Sequence, residues 1–101
     1  MTSPARTWDI DQVRRIVLTR LRDYSVDVYW FGSTAKGTAG RYSDIDVAIL
    51  PHKRLPAGLL AEIREDLEQS HVIYQVDVVD LSQAPEKLRD SVIKEGTRWG
   101  D

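Results

Sequence analysis

The amino-acid sequence of 101 residues contains no cysteine and only one methionine, one phenylalanine and four prolines. The absence of cysteine excludes disulfide bonds and thiolate metal sites, and it is compatible with the reducing environment of the cytoplasm. The N-terminal segment lacks the apolar core of a signal peptide, and no run approaches the ~20 apolar residues that span a bilayer. We therefore expect a soluble, cytoplasmic protein.

The chain also has no excess of positive charge, and its formal net charge is −2. Proteins that bind long nucleic acids usually carry a clustered basic surface and a high isoelectric point, so we do not expect a long polynucleotide as substrate. The two histidines, His52 and His71, do not make a zinc site. Hydrophobic residues make up 42% of the chain, which is enough for one core, and we expect residues 1–101 to form one domain.

The hydrophobic pattern predicts three helices and three strands. We expect a loose end over residues 1–7. Asp9 and Gln12 resemble a capping box, so we expect a helix from Asp9 to about Asp23. The other helices are predicted over residues 56–69 and 85–94, and the strands over residues 26–31, 43–50 and 72–80.

Two acidic residues, Asp44 and Asp46, alternate with apolar residues in the second predicted strand. Side chains alternate between the faces of a strand, so both carboxylates lie on one face, roughly 6–7 Å apart along the strand. Ile45, Val47 and Ile49 are expected to anchor the opposite face in a core, which leaves the acids facing outward. Magnesium prefers oxygen ligands, and a pair of ions can stabilise the attacking and leaving oxygens of an in-line displacement. The two aspartates therefore predict a magnesium site.

A third acid on a neighbouring strand would complete that site, and the predicted strand 72–80 offers two candidates. Asp77 is opposite in parity to Tyr74, Val76 and Val78, so its side chain faces away from the side that these residues would bury. Asp80 shares the parity of the buried side, and aspartate favours turns through local hydrogen bonds to the backbone. We predict that Asp77 completes the site and that Asp80 helps to turn the chain towards Ser82.

A Gly-Ser pair, Gly32-Ser33, follows the first predicted strand and begins a segment that can start a helix. Glycine lets a phosphate approach the backbone closely, and the free amides at a helix N-terminus favour an anion. We predict that Gly32 and Ser33 hold a triphosphate. Lys36 and Arg41 are near enough in sequence to neutralise phosphate charge, although spacing alone places neither of them.

Each of these features also has a purely structural interpretation. An isolated Asp-x-Asp most often forms a polar strand face, and Ser33 can cap a helix whether or not it binds an anion. The Gly-Ser pair at a fixed distance before Asp44 and Asp46, together with the later Asp77, favours the functional interpretation of the acids.

The combined pattern of Gly32-Ser33, ten intervening residues, Asp44-Ile45-Asp46 and the later Asp77 resembles the minimal nucleotidyltransferase (MNT) family of the DNA polymerase β superfamily. In particular, it is similar to the short MntA-type antitoxins that are encoded beside HEPN-domain toxins. The resemblance implies an α/β (α+β) fold, with a small mixed sheet backed by helices. One departure is Lys36, which stands where many relatives carry arginine and which lacks the planar, bidentate fork of arginine.

The resemblance also implies an activity. Family members bind an NTP with two magnesium ions and transfer a nucleoside monophosphate to an acceptor, with release of pyrophosphate. Asp44, Asp46 and Asp77 would bind the metals, with Asp77 helping to activate the acceptor hydroxyl, and Gly32 with Ser33 would hold the triphosphate. Antitoxins of this type transfer AMP to a tyrosine of the HEPN partner and thereby silence it.

Two other functions stay open on the sequence alone. The chain could keep the fold without turnover and inhibit its partner by steric cover, or it could modify a small molecule through an aminoglycoside-type hydroxyl. The presence of all three motif acids argues against the first function. The expected lack of a second domain that would bind a small substrate argues against the other.

Overall fold

The computed structural model of this protein describes residues 4–37 and 44–100. In these residues the chain forms four helices and four strands. The helices are α1 (Pro4–Leu21), α2 (Gly32–Lys36), α3 (Leu59–Glu68) and α4 (Glu86–Glu95), and the strands are β1 (Val26–Phe31), β2 (Ile45–Pro51), β3 (Val76–Asp80) and β4 (Thr97–Trp99). No helix in this part of the chain combines the length and the apolar character that crossing a membrane requires.

The described strands form one mixed sheet in the order β3-β2-β1-β4. β1 runs antiparallel to both β2 and β4, whereas β2 and β3 are parallel. A parallel pair needs a crossover connection, and α3 lies in the connection between these two strands. The mixed sheet with its helices confirms the fold class that the resemblance implied.

The first face of the sheet carries the main hydrophobic core. Ile45, Val47 and Ile49 of β2 point to this face and are fully buried, as their alternation predicted. Helices α1 and α3 pack on the same face, and together they contribute Val13, Val17, Leu21, Leu59, Ile63 and Leu67 to the core. β2 is therefore anchored in the main core through its inward-facing residues.

The second face of the sheet, which carries the other side of β2, is also partly covered. Tyr29, Ala48, Leu81 and Val92 form a smaller buried cluster there, and Val92 belongs to α4. Ala48 is completely buried, although the sequence pattern places its side of the strand outward. The acids of this strand therefore share a face with a second, small core.

The first helix begins earlier than the capping pattern predicts. α1 starts at Pro4, so Asp9 lies inside the helix and is not its N-cap. Proline is tolerated in the first turn of a helix, because the amide that it lacks would have no partner there. Asp9 is buried, at 2% exposure, and burial raises the pKa of its carboxyl group.

Other boundaries shift for local reasons. α3 begins at Leu59 rather than at Pro56, because the Pro56 carbonyl accepts the Leu59 amide in a turn that ends with Gly58 at a left-handed φ of +86°. β3 begins at Val76, and the residues immediately before it are not in a strand. The sequence pattern does not predict β4, because three residues are too few to show an alternation.

An aromatic pair holds β4 to the sheet. Trp99 is 7% exposed, and its ring stacks on that of Trp30 in β1 with the ring centroids 6.0 Å apart. Both rings lie on the first face, because Trp99 pairs with Val28 and belongs to the main core. The shortest strand thus depends on one large side chain.

Trp99→Ala should therefore destabilise the protein by about 3–5 kcal/mol, the usual effect of truncating a large buried aromatic residue. Trp8→Ala is the matched control, because Trp8 is 48% exposed and its loss should change the free energy of unfolding by less than ~0.5 kcal/mol. Urea unfolding followed by circular dichroism measures both variants. Equal effects of the two substitutions would contradict the packing described for β4.

An ion pair on the surface joins α1 to α3. Arg20 Nε donates a hydrogen bond to Asp66 Oδ2 at 2.5 Å, and Arg20 Nη1 donates to Glu62 Oε2 at 3.3 Å. The hydrogen bond from Arg20 is the main reason why the pKa of Asp66 is lowered. The pair therefore stabilises the ionised form of the carboxyl group in the folded protein.

Because the pKa of Asp66 is lower in the folded than in the unfolded protein, the pair stabilises the fold above the ordinary aspartate pKa of about 4, and this effect is lost as the pH falls. Arg20→Gln should slightly lower the free energy of unfolding at neutral pH and have a smaller effect in acid, where Asp66 becomes protonated in the folded protein as well. Arg15→Gln, which removes a looser pair with Asp11 at 3.9 Å, should have a smaller effect at neutral pH. Urea titrations at both pH values test this, and an undiminished effect of Arg20→Gln in acid would refute it.

Candidate active site

The register of β1 and β2 brings Gly32 to Asp46. Phe31, the last residue of β1, pairs with Asp46, so the chain enters α2 beside that carboxylate. Gly32 has a φ of +81°, and a Cβ built on it would collide with Asp46 Oδ2 and lie 3.1 Å from Asp46 Cγ. Glycine is the residue that meets both the left-handed φ and the lack of space. The chain leaves the sheet after Phe31 and returns to it in β2, where Asp46 is the partner of Phe31. The spacing between the Gly-Ser pair and the acids is the length of this excursion.

Asp46 and Asp77 lie side by side on neighbouring strands. They are Cα partners in the parallel pairing of β2 and β3, and paired residues of a sheet point to the same face. Asp44 immediately precedes β2 and shares the parity of Asp46. The structure therefore places Asp46 and Asp77 side by side on the second face of the sheet, and Asp44 is near enough for its charge to act on Asp46.

The other acid of β3 forms a turn. Asp80 Oδ1 accepts hydrogen bonds from the Ser82 amide at 2.9 Å and from Ser82 Oγ at 2.6 Å. Local bonds of this kind are why aspartate is common in turns. The structural role that the sequence indicates for Asp80 is confirmed, and its carboxylate is occupied at the end of the strand away from Asp77.

Burial and like charge both act on Asp46. Burial contributes most to raising its pKa, and the carboxylates of Asp77 and then of Asp44 raise it further. A divalent cation relieves repulsion of this kind, because magnesium binds carboxylate oxygens. Within residues 4–37 and 44–100, no three acidic or histidine side chains stand close enough to enclose one ion. Magnesium usually binds through one or two carboxylates with water and substrate phosphates, so the aspartates suit such an ion without forming a complete cage.

Only some of the residues that were predicted to bind phosphate lie near the acids in the described part of the chain. Ser33 is the second residue of α2 and follows Gly32 directly. Lys36, at the end of the same helix, has its Nζ 3.2 Å from Glu95 Oε2 on α4, in a pair that is exposed to solvent. Arg41 lies outside the described residues. Contact of Lys36 and Arg41 with phosphate stays a prediction, and sequence reasoning did not single out Glu95, because one acid near a helix end carries no specific signal.

Helix α2 is held to the sheet by a polar contact that the sequence pattern does not reveal. Trp30 Nε1 donates a hydrogen bond to Thr34 Oγ1 at 2.9 Å, and Thr34 is buried at 7% exposure. The same indole stacks on Trp99, so the short helix is linked through β1 to the main core. This connection fixes the backbone of Gly32 next to the acids.

A groove with a volume of about 830 Å³ lies next to the acids and is called here the β3 groove. It is lined by Asp46, Arg64, Leu67, Glu68 and residues 72–79. A second cavity of about 620 Å³, lined by Pro51 and Asp80 among others, lies at the opposite ends of β2 and β3 and contains none of the three acids. Of these two cavities, the β3 groove is the one that contains Asp46 and Asp77. Sequence reasoning missed Arg64, because an arginine on a helix usually belongs to a solvated face.

Aspartates that share one face beside a Gly-Ser turn form the arrangement that the sequence resemblance associates with nucleotidyl transfer. The polymerase β nucleotidyltransferase family matches residues 20–98, a range that includes the three acids and Gly32-Ser33. The chain belongs to this family.

The individual relatives to which this chain is similar include a protein adenylyltransferase and chains of toxin-antitoxin complexes. The chain is 32% identical over 82 residues to the protein named "Probable protein adenylyltransferase MntA" of Haemophilus influenzae. The matched region covers 81% of this chain and 70% of that protein. A crystal structure of a toxin-antitoxin with AMP-PNP is 34% identical, with a TM-score of 0.67 over 87% of this chain and 73% of that one. A chain of the complex between the tri-AMPylated HEPN toxin of Shewanella oneidensis and its MNT antitoxin is 29% identical, with a TM-score of 0.58 over 90% of this chain and 72% of that one.

Gly32→Ala should reduce the rate of nucleotidyl transfer by about 10²-fold, because the added methyl group must displace the Asp46 carboxylate and a misplacement of ~1 Å has an effect of that size. Gly58→Ala is the matched control. Gly58 has a similar φ of +86° but no atom within 4 Å of an added Cβ, so it reports only the backbone penalty of about 1–2 kcal/mol. Transfer from α-³²P-labelled ATP and urea unfolding measure the two effects. Full activity of Gly32→Ala would show that Asp46 need not occupy this position.

Proposed function

We propose that this protein is a magnesium-dependent adenylyltransferase that transfers AMP from ATP to a hydroxyl side chain, a tyrosine, of a HEPN-domain partner protein. The modification silences the partner, so the protein acts as an antitoxin in the cytoplasm. Family membership supports nucleotidyl transfer, and the named relatives support the identity of the nucleotide and of the partner. Because the chain spans 70–73% of those relatives, their complete activity, substrates and partners are part of the proposal.

The observation that carries the proposal is the placement of Asp46 directly beside Asp77, with burial and two like charges raising the pKa of Asp46. A polar strand face does not require acids at positions where they repel each other. A bound cation would offset this repulsion, because an opposite charge nearby favours the ionised form of each carboxylate. The arrangement therefore favours a metal-dependent reaction over a purely structural role for these residues.

The three acids have distinct places in the proposed site. Asp44 and Asp46 would hold the two magnesium ions, and Asp77 would complete the set. Bound magnesium supplies positive charge to the phosphate oxygens during an in-line displacement. Asp46 is half-buried, and its carboxylate lies close to the backbone of Gly32, where a side chain would not fit.

The proposed reaction forms one bond and breaks one bond. The acceptor oxygen attacks the α-phosphorus of ATP, the bond between this phosphorus and the bridging oxygen breaks, and pyrophosphate leaves. Asp77 is exposed, so an acceptor hydroxyl can approach it, and its carboxylate takes up the proton that the hydroxyl loses.

The segment that begins at Gly32 is proposed to hold the triphosphate. Gly32 presents its backbone without a side chain, and Ser33 follows it at the start of α2. Lys36 and Arg41 are proposed to contribute positive charge to the phosphates. The ion pair of Lys36 with Glu95 is exposed, and exposed pairs are weak enough to exchange for a phosphate.

The proposal is tested by mixing the protein with α-³²P-labelled ATP, magnesium and the HEPN-domain protein encoded next to it. The wild-type protein should label the partner, and Asp46→Asn or Asp77→Asn should lower the rate by about 10²-fold or more, the scale on which one group that stabilises the transition state acts. Asp90→Asn is the matched control, because Asp90 is an exposed acid on α4. Magnesium with ATP should raise the melting temperature of the wild-type protein and of Asp90→Asn more than that of the site variants.

Equal labelling by Asp46→Asn and the wild-type protein would refute the metal-dependent mechanism. The steric alternative gives a different result, because a variant that no longer labels the partner would still silence it. A ribonuclease assay of the partner, carried out in parallel with the labelling, separates the two mechanisms.

A further inference from the structure

β3 is an edge strand among the described residues, because β2 is its one neighbour in the sheet. The Gln75 carbonyl accepts from the Ile45 amide and the Leu81 amide donates to the Ile49 carbonyl, so the backbone groups of residues 75 and 81 point towards β2. Backbone groups alternate in direction along a strand, and those of Val76 and Val78 therefore point away from the sheet. This side of β3 faces the β3 groove.

One contact with α3 supports this direction. Arg64 Nη2 donates a hydrogen bond to the Val78 carbonyl at 2.8 Å, from the side of the strand opposite to β2. No strand of the described sheet pairs with the amides of Val76 and Val78 or with the Val76 carbonyl. The edge of β3 thus offers a short row of backbone donors and acceptors beside the catalytic acids.

The groove along this edge is lined by both apolar and acidic side chains. Ile73 is 79% exposed, and Leu67 and Val72 extend the apolar lining next to it. The charged residues of the lining are Asp46, Asp77, Glu68 and Arg64, so carboxylates outnumber guanidinium groups, and the single arginine is bonded to the Val78 carbonyl. A segment that is neutral or basic and carries apolar side chains is complementary to this lining.

We propose that the protein acceptor docks in the β3 groove as an extended segment, which adds a strand to the outer edge of β3 and places its reactive hydroxyl side chain opposite Asp77. The proposal rests on the proposed function, because it assigns the site that the acceptor of AMP occupies. It identifies the occupant by chemistry: a neutral or basic segment in which a hydroxyl residue is flanked by apolar ones.

Strand addition accounts for how the hydroxyl reaches the acids. Residues opposite each other on neighbouring strands have Cβ atoms about 4.5–5.5 Å apart and point to the same face. An acceptor residue opposite Asp77 would therefore project its side chain to the second face, where Asp46 and Asp44 lie. Its two neighbours in the segment would project to the other face, towards the apolar lining contributed by α3.

Val76→Pro tests the backbone contacts. Proline is tolerated on an edge strand where the amide points outward, and this substitution removes the outward amide of Val76 without breaking a bond to β2. We expect kcat/KM for the partner protein to fall at least tenfold while the KM for ATP is unchanged. Unchanged labelling of the partner by a folded Val76→Pro variant would overturn strand addition.

Ile73→Ser tests the apolar contact independently of the backbone, so the proposal stays testable if Val76→Pro does not fold. Ile93→Ser on α4 is its matched control, because Ile93 is also exposed, at 43%, but lies outside the groove. We expect about a tenfold loss of kcat/KM for the partner with Ile73→Ser and no loss with Ile93→Ser. Equal losses, or a loss only with Ile93→Ser, would place docking elsewhere.

Amide hydrogen exchange supplies a third readout. Adding the partner protein should slow the exchange of peptides that contain residues 76–80. The informative amides are those of Val76 and Val78, because the amides of Asp77 and Val79 face β2 and are protected with or without the partner. Protection of the Val76 and Val78 amides before the partner is added would instead indicate pairing between two copies of this chain, and no protection of them in the complex would also overturn the proposal. If the wild-type protein fails to label the partner at all, the proposed function fails. If it labels the partner and the edge variants do so equally well, only the docking mode fails.

Discussion

The position of Asp46 between two neighbouring strands is the constraint on which the site depends. On one side Asp46 pairs with Phe31, which brings Gly32 against its carboxylate, and on the other side it pairs with Asp77. One antiparallel and one parallel pairing therefore meet at a single residue of β2. A slip of one residue in either register would reverse the face of a partner and separate the groups that act together.

This arrangement is unfavourable for stability and has to be supported by the rest of the fold. Burial and the charges of Asp77 and Asp44 raise the pKa of Asp46, so holding this carboxylate ionised in the folded protein is unfavourable. The compensation lies within the same strand, because Ile45, Val47, Ala48 and Ile49 are all completely buried. A central strand that is packed on both faces can hold a half-buried carboxylate in a fixed position, as strained groups at functional sites require.

The sequence predicted the faces of the strands better than it predicted the ends of the helices and strands. Parity placed the side chain of Asp77 on the face of Asp46, because the period of a strand is fixed by covalent geometry. Parity together with the turn preference of aspartate assigned Asp80 to a turn. The capping pattern predicted Asp9 as the N-cap of α1, but Asp9 lies inside the helix. Such a pattern looks the same at the start of a helix and one turn inside it. The sequence did not predict β4, whose three residues are stable in the sheet through the stacking of Trp99 on Trp30.

The sequence by itself determined which residues share a face, since alternation along a strand is a local property. The distance along the chain from the Gly-Ser pair to the acids was likewise visible in it. Only the tertiary structure decided that Gly32 contacts the Asp46 carboxylate, that Lys36 pairs with Glu95, and that β3 lies at an edge with Arg64 across its outer side. These contacts join residues from different elements, and the order and direction of strands in a sheet are set by packing, which no local pattern encodes.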